Sequence, residues 1–435
     1  MAIPTVASSL VMVLYSLADT YFVGMLNDPV ATAAVTMASP VLLAFNALNN
    51  LFGVGSSSLM SRSLGRKEYD TVRKTSAMGF YCALFCSLLL SVACTVLKSP
   101  LLSLLGASSE TWSATADYML WTVTCGAAPA ILNVVLANMV RSEGAAMNAS
   151  IGTMSGCLLN IVLDPIFILP WGLNMGAAGA GLATFLSNCV ACTYFFVLLF
   201  VRRGRTFVSI SPRDLRWDRE IFFQICNVGI PAAIQNLLNV TGMTVLNNFT
   251  AAFGADAVSA MGIAHKIAMV PMYVAMGFSQ GIMPLVSYNY ASGSYRRMKQ
   301  VVTFAGGISL ALMVLGAAVC LAEGNGIISL FMENESVVAY GGAFLSGMAL
   351  AIPFLDVDFL AVGVFQACGM GQNALVFAIL RKVILEIPAL VILNRLWPLY
   401  GLAYAQLVAE FVLAIAALIM LARIFRSLQG QGTAP

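Results

Sequence analysis

Apolar stretches of about 20 residues or more recur along the chain, separated by short polar connections. At a helical rise of about 1.5 Å per residue, each is long enough to cross a hydrocarbon layer roughly 30 Å thick. The pattern predicts about twelve transmembrane helices, near residues 3–25, 32–59, 75–97, 114–140, 147–169, 176–201, 221–249, 257–288, 301–321, 338–367, 375–393 and 401–424. The first stretch has neither a cationic lead nor a small-residue cleavage site before a polar mature chain. Residues 1–25 therefore read as a span, not as a signal peptide.

The second half repeats the first. Pro4 recurs as Pro231, Tyr69 as Tyr295, Pro129 as Pro353 and Pro165 as Pro388, each at an offset of about 225 residues. An even number of spans per half gives both halves one orientation, a parallel repeat about an axis along the membrane normal. The expected lobes are 1–205 and 206–435, with the basic stretch 202–219 as linker.

Basic residues gather in alternate connections: Arg62, Arg66, Lys67, Arg73 and Lys74; Arg141; Arg202, Arg203, Arg205, Arg213, Arg216 and Arg219; Arg296, Arg297 and Lys299; Arg381 and Lys382; Arg423 and Arg426. The opposite connections hold Lys98 and Arg395 with acids such as Asp28, Glu110, Asp256, Glu323, Glu333 and Glu335. The positive-inside rule then puts both termini in the cytoplasm, in a multi-pass protein of the cell membrane.

Composition agrees. Of 435 residues, 60% are hydrophobic and 9% charged, against roughly 25% charged in soluble domains. A net charge of +3, with basic residues scattered among loops, does not suggest a nucleic-acid partner. All ten cysteines fall within apolar runs, where they read as packing residues, and this includes the C-x-x-C of Cys189 and Cys192. There is no H-E-x-x-H and no Walker A loop, so no enzyme is expected. Lone His265 has no second ligand at metal spacing, and neither a metal nor a cofactor is expected.

An ionisable group inside a bilayer costs roughly 2.5–3.5 kcal/mol on insertion scales, so each calls for a reason. Asp19 in the first span and Asp164 in the fifth are the clearest cases. Asn160 precedes Asp164 by four residues, which places its amide on the same helical face as a donor to the carboxylate. Removing a carboxylate from water disfavours the bare anion, so a proton or cation can compete for such a pocket. The plainer reading is an acid that only bridges helices. Tyr15, Gln235, Asn239, Gln280 and Asp356 are further candidates to line a cavity. Asp358, Glu410, His265 and Lys266 are also polar positions within spans, with internal pairing an equally open reading. Asp356 and Asp358, two apart, cannot both aim at one ligand from a helix. The repeat places no acid opposite Asp19 or Asp164, and Glu386 is adjacent in register but directed to another face.

Several runs carry a family resemblance: Tyr15 to Gly24 (Y-S-L-A-D-T-Y-F-V-G), Ser61 to Gly65 (S-R-S-L-G), Arg141 to Gly144 (R-S-E-G), Asn160 to Ile168 (N-I-V-L-D-P-I-F-I), Gly176 to Thr184 (G-A-A-G-A-G-L-A-T) and Gln280 to Pro284 (Q-G-I-M-P). Over essentially its whole length the chain resembles the MATE family of multidrug and toxin extrusion transporters, in its DinF-like branch. The resemblance implies an all-α, V-shaped membrane fold of two pseudo-symmetric six-helix bundles around a central cavity. It also implies that Asp19, Asp164, Asn138, Asn160 and Thr184 form an ion-coupling and substrate-binding site in the first lobe, and that Pro4 is a hinge. Two departures are plain. The chain begins almost at its first span, as expected of a truncated start. The acid that sodium-coupled NorM-like members use in the seventh helix is missing, with Gln235 and Asn239 nearby.

The expected function is a secondary active antiporter, working as a monomer in the lipid bilayer. It would export small organic cations or drugs in exchange for protons or sodium ions by alternating access. The alternative is a lipid-linked precursor flippase, which would want several Arg or Lys facing its cavity where the spans offer mainly Lys266. An intramembrane aspartyl protease would want a G-x-G-D-like context that neither aspartate has.

Overall fold

The computed structural model describes residues 2–431 except 27, 106, 108 and 331–333. Glu333, placed in a connection above, lies outside the described residues. All regular structure among them is helical, and the chain divides into two compact units, 3–233 and 234–435.

The first unit opens with α1 (Ala2–Met25) and α2 (Pro29–Leu48), which Asp28 caps by accepting from Val30 N at 2.9 Å. A π-helical turn, Asn49–Val54, leads into α3 (Gly55–Gly65). Next come α4 (Tyr69–Val96), α5 (Lys98–Leu104) and α6 (Trp112–Met119). A second π turn, Leu120–Cys125, then joins α6 to α7 (Ala127–Ser142). The bend of 48° at this junction makes one broken span of the expected 114–140. α8 (Ala146–Ile168), α9 (Gly176–Val201) and the beginning of α10 (Arg219–Ala251) complete the unit.

The second unit holds the rest of α10, α11 (Ala255–Ala291), α12 (Tyr295–Ala322), α13 (Gly324–Ser329) and α14 (Glu335–Ala367). α15 (Gly371–Ile379) continues through a third π turn, Leu380–Glu386, into α16 (Ile387–Leu396), and α17 (Gly401–Gln431) closes the fold. Deeply buried α14 packs against α11, α12 and α17.

Ten helices among the described residues are long and apolar enough to cross a membrane, or eleven with the bent pair as one. The remaining expected span, 375–393, is present as the unbroken helical run 371–396. Its charges, Arg381, Lys382, Glu386 and Arg395, mask its apolar character.

Membrane helices gain little from the hydrophobic effect against each other, so close approach on small residues takes over. A Cβ on Gly156 would lie 3.0 Å from Ala191 of α9, and one on Gly347 would lie 2.9 Å from Ala403 of α17. Large apolar side chains turn outward instead: on α4, Phe85, Leu88, Leu89 and Val92 recur at helical spacing and are all exposed. All ten cysteines are free thiols.

Two expectations change. The division falls after Ala233, inside α10, not after residue 205. Early α10 packs on the first unit, with Gly55 against Ile225 and Gly229 against Leu51. Pro4 stands within α1, which runs unbroken from Ala2 to Met25. Arg141, Arg381 and Lys382, assigned to connections, are buried within helical ends or interiors.

The linker between repeats is irregular but anchored. Thr206 Oγ1 and Phe207 N donate to the two oxygens of Glu143 at 2.6 Å each. Ser209 N donates to Ser76 Oγ at 2.8 Å, Tyr81 OH donates to Ile210 O at 2.9 Å, and the Phe207 ring stacks on Tyr69 at 4.6 Å. Burial raises the Glu143 carboxyl above its ordinary value, against the hydrogen bonds of the strap and nearby Arg202, which pull it down.

Candidate functional site

α1, α6, α8 and α9 bring a polar group together inside the first unit. On α1, Tyr15 and Asp19 are four residues apart and share a face. Asp164 of α8, fully buried, interacts electrostatically with Asp19, so the two expected carboxylates share one site. The Tyr15 hydroxyl hydrogen-bonds the Thr184 side chain of α9 and lies within electrostatic reach of both aspartates and of Tyr118.

Asn160 sets the orientation of Asp164. With its amide nitrogen toward the carboxylate it donates to Oδ2 at 2.7 Å and Oδ1 at 3.2 Å, while its oxygen accepts from Thr184 N at 3.1 Å. The reverse orientation would turn its oxygen toward acceptors. Close packing makes this possible: a Cβ on Gly181 would lie 3.0 Å from Tyr118 O and 3.2 Å from Trp121 Cβ. Without a side chain there, α9 presses onto α6 one turn from Thr184.

No cation among the described residues lies in ion-pair range of Asp19 or Asp164. Two neighbouring carboxylates with no fixed cation repel each other when both are ionised. Such a site favours uptake of a proton or a cationic ligand. Tyr118, buried at 5% and close to both acids, was not found from the sequence, because nothing in its local spacing sets it apart.

Asn138 is placed differently from the expectation. Its nitrogen donates to Val134 O at 3.1 Å and its oxygen accepts from Arg141 Nη1 at 3.0 Å, and it makes no hydrogen bond to either aspartate. It serves the buried guanidinium at the end of α7, whose charge needs an acceptor.

The second unit has its own buried charges. Arg381 of the third π turn donates through Nε to Glu410 Oε1 of α17 at 2.7 Å, and its Nη1 is 3.5 Å from Asp358 Oδ2 of α14. Its guanidinium also stands 5.2 Å from the Phe359 ring centroid. One residue on, Lys382 Nζ donates to both oxygens of Glu386, at 2.7 and 2.6 Å. His265 of α11 is in electrostatic contact with that pair, and Gly242 of α10 leaves room for it. Asp356 accepts from Ser309 Oγ of α12 and is buried at 2%. Through that oxygen it ties α14 to α12. Asp356 and Asp358 indeed serve different partners.

Of the other candidates, Gln235 accepts from Gln366 Nε2 at 3.4 Å, while Asn239 and Gln280 are half-buried. The absence of an acid opposite Asp164 therefore does not leave the second half uncharged. A signal was available in the i, i+4 spacing of Lys382 and Glu386 within an apolar run.

Comparison with known proteins places the whole arrangement. The MatE family model matches twice, at residues 4–166 and 231–392, so the matches begin at the paired Pro4 and Pro231. Multidrug export protein MepA of Staphylococcus saprophyticus is 32% identical over 425 residues, covering 96% of this chain and 91% of that protein. MepA of Staphylococcus aureus is likewise 32% identical over 427 residues, with the same coverage. Among solved structures, MATE in the straight conformation superposes with a TM-score of 0.93 at 25% identity, over 99% of this chain and 96% of that one. The outward-facing conformation of a multidrug resistance MATE family transporter of the MOP superfamily gives 0.91 at 26% identity, over 99% and 95%.

Proposed function

Because the chain belongs to the MATE family, we propose that it is a secondary active multidrug exporter, exchanging organic cations for protons or sodium ions by alternating access. The observation that carries this reading is the site of Asp19 and Asp164, two carboxylates without a fixed cation, lined by Tyr15, Tyr118, Asn160 and Thr184. The resemblance of the full chain to multidrug export proteins supports it.

Each side chain then has a task. Asp19 and Asp164 accept either the coupling ion or the cationic drug. Asn160 holds Asp164 in place by donating to both of its oxygens. The aromatic faces of Tyr15 and Tyr118 suit flat cations, which gain from a ring quadrupole when desolvated. Competition for one site makes the penalty mutual: occupancy by the ion weakens the drug by the factor with which the drug weakens the ion. No covalent bond is made or broken, and no cofactor is needed beyond the coupling ion. The protein works as a monomer in the cell membrane with both termini cytoplasmic, an orientation that the basic ends of α3 and α9 still favour after Arg381 and Lys382 are moved inside.

The flippase alternative loses ground for a new reason. Buried Arg381 and Lys382 are engaged by Glu410, Asp358 and Glu386 and are not free for a pyrophosphate. The deciding test is counterflow of a fluorescent organic cation in proteoliposomes, with pH and sodium gradients imposed separately. Uptake driven by either gradient supports the reading; flux indifferent to both, or unchanged in Asp164→Asn, overturns it.

A further inference from the structure

The anchored linker forms one wall of a cavity of about 960 Å³ at the basic end of the first unit. From α9 come Phe196, Val197 and Phe200, exposed by 36%, 54% and 74%. Against them stand three guanidinium groups: Arg73 near the start of α4, and Arg203 and Arg213 on the linker. The single carboxylate in the lining, Asp214, already accepts from the Ser209 hydroxyl. None of the three arginines has an ion-pair partner among the described residues. The lining therefore sets three guanidinium charges against one carboxylate, an excess of positive charge beside an apolar wall.

Its level in the membrane is marked twice. The apolar face of α9 ends at Val201 and gives way at once to Arg202 and Arg203, the point where a span leaves the hydrocarbon. Trp217 is 70% exposed and rests on Phe222 at 5.1 Å, an aromatic of the kind that favours the headgroup layer. Guanidinium groups pair with phosphate oxygens through two parallel N–H donors, which suits them to a phosphate held in one orientation. A free phosphate would use the arginines and leave the aromatic and aliphatic wall unused.

We propose that this cavity is a binding site for an anionic phospholipid. Its phosphate is held by Arg73, Arg203 and Arg213, and an acyl chain lies along Phe196, Val197 and Phe200. The linker bonds to Glu143, Ser76 and Tyr81 keep the arginines in place before the lipid arrives, so little ordering remains to be done on binding.

The test is native mass spectrometry of the full chain in detergent, titrated with phosphatidylglycerol, phosphatidylcholine and inorganic phosphate. Phosphatidylglycerol is expected to bind about tenfold or more tightly than phosphatidylcholine, and to resist displacement by millimolar-range phosphate. Arg73→Gln/Arg203→Gln/Arg213→Gln is expected to weaken it about a hundredfold, at roughly fivefold per arginine. Arg213→Gln alone, at an exposed linker position, should show the single step, and Arg296→Gln/Arg297→Gln in the second unit should leave the affinity unchanged. Equal binding of the two lipids, no loss in the triple variant, an equal loss in the Arg296/Arg297 variant, or ready displacement by inorganic phosphate would each overturn the proposal.

Discussion

Arg381 and Glu410 meet at 2.7 Å between the third π turn and α17, and neither is more than 3% exposed. Asp358 joins them from α14, so three elements of the second unit converge on one guanidinium. Removing one member of a buried ionic group strands the others, at a cost of about 3–5 kcal/mol. Arg381→Met is therefore expected to lower thermal stability in detergent sharply, by an amount in that range. Arg381→Met combined with Glu410→Leu and Asp358→Asn should recover much of the loss. A triple variant no more stable than the single one would show that the network is not the cause.

The first unit predicts the opposite pattern for its acids. Asp19 and Asp164 have no cation to strand, so Asp164→Asn should leave the unfolding temperature nearly unchanged while cutting gradient-driven export by about tenfold or more, equivalent to roughly 1.4 kcal/mol of lost cation affinity. Flux assays beside thermal melts separate the two effects. A variant that unfolds readily would mean that the carboxylate is structural.

Asn160→Leu tests how Asp164 is positioned. The amide donates to both carboxylate oxygens and accepts from Thr184 N, so its loss is expected to weaken organic-cation binding about tenfold, with each charge-assisted bond contributing about 1.5–3 kcal/mol when unreplaced. Asn160→Gln should not rescue it, because the longer side chain moves the donor. Equilibrium binding of a fluorescent cation would read both.

At Gly181 the neighbours are the backbone oxygen of Tyr118 and Trp121 Cβ, neither of which can yield cheaply. Gly181→Val should cost about 1–3 kcal/mol of stability through overpacking, and should also lower transport by moving Thr184 and Tyr118 apart. Gly181→Ala is expected to be milder in both assays.

Glu143 holds the strap through Thr206 and Phe207. Glu143→Ala should release it at a cost of about 1.5–3 kcal/mol for bonds to a charged acceptor. Limited trypsin digestion is the measurement, with faster cleavage expected at Arg203, Arg205 and Arg213 while the helices remain intact.

The spans, the repeat and the meeting of Asp19 with Asp164 were legible in the sequence because each follows from a local rule. Apolar length predicts a span, a constant offset predicts duplication, and an isolated acid in an apolar run asks for company. Arg381 and Lys382 were misplaced because basic residues near a span end are ordinarily loop residues. Their acidic partners Asp358 and Glu410 come from helices far off in the chain. Tyr118 was missed for the same reason: its role lies in which helices pack beside it. Asn138 carried the right residue type, yet the guanidinium of Arg141, three residues on, took its oxygen.

The shared guanidinium of the second unit has an evolutionary corollary. With the one guanidinium of Arg381 shared between Asp358 and Glu410 in a sealed volume, none of the three positions is free to drift alone. Descendants of this half are expected to keep the trio or to exchange it as a set, leaving linked substitutions as its historical trace.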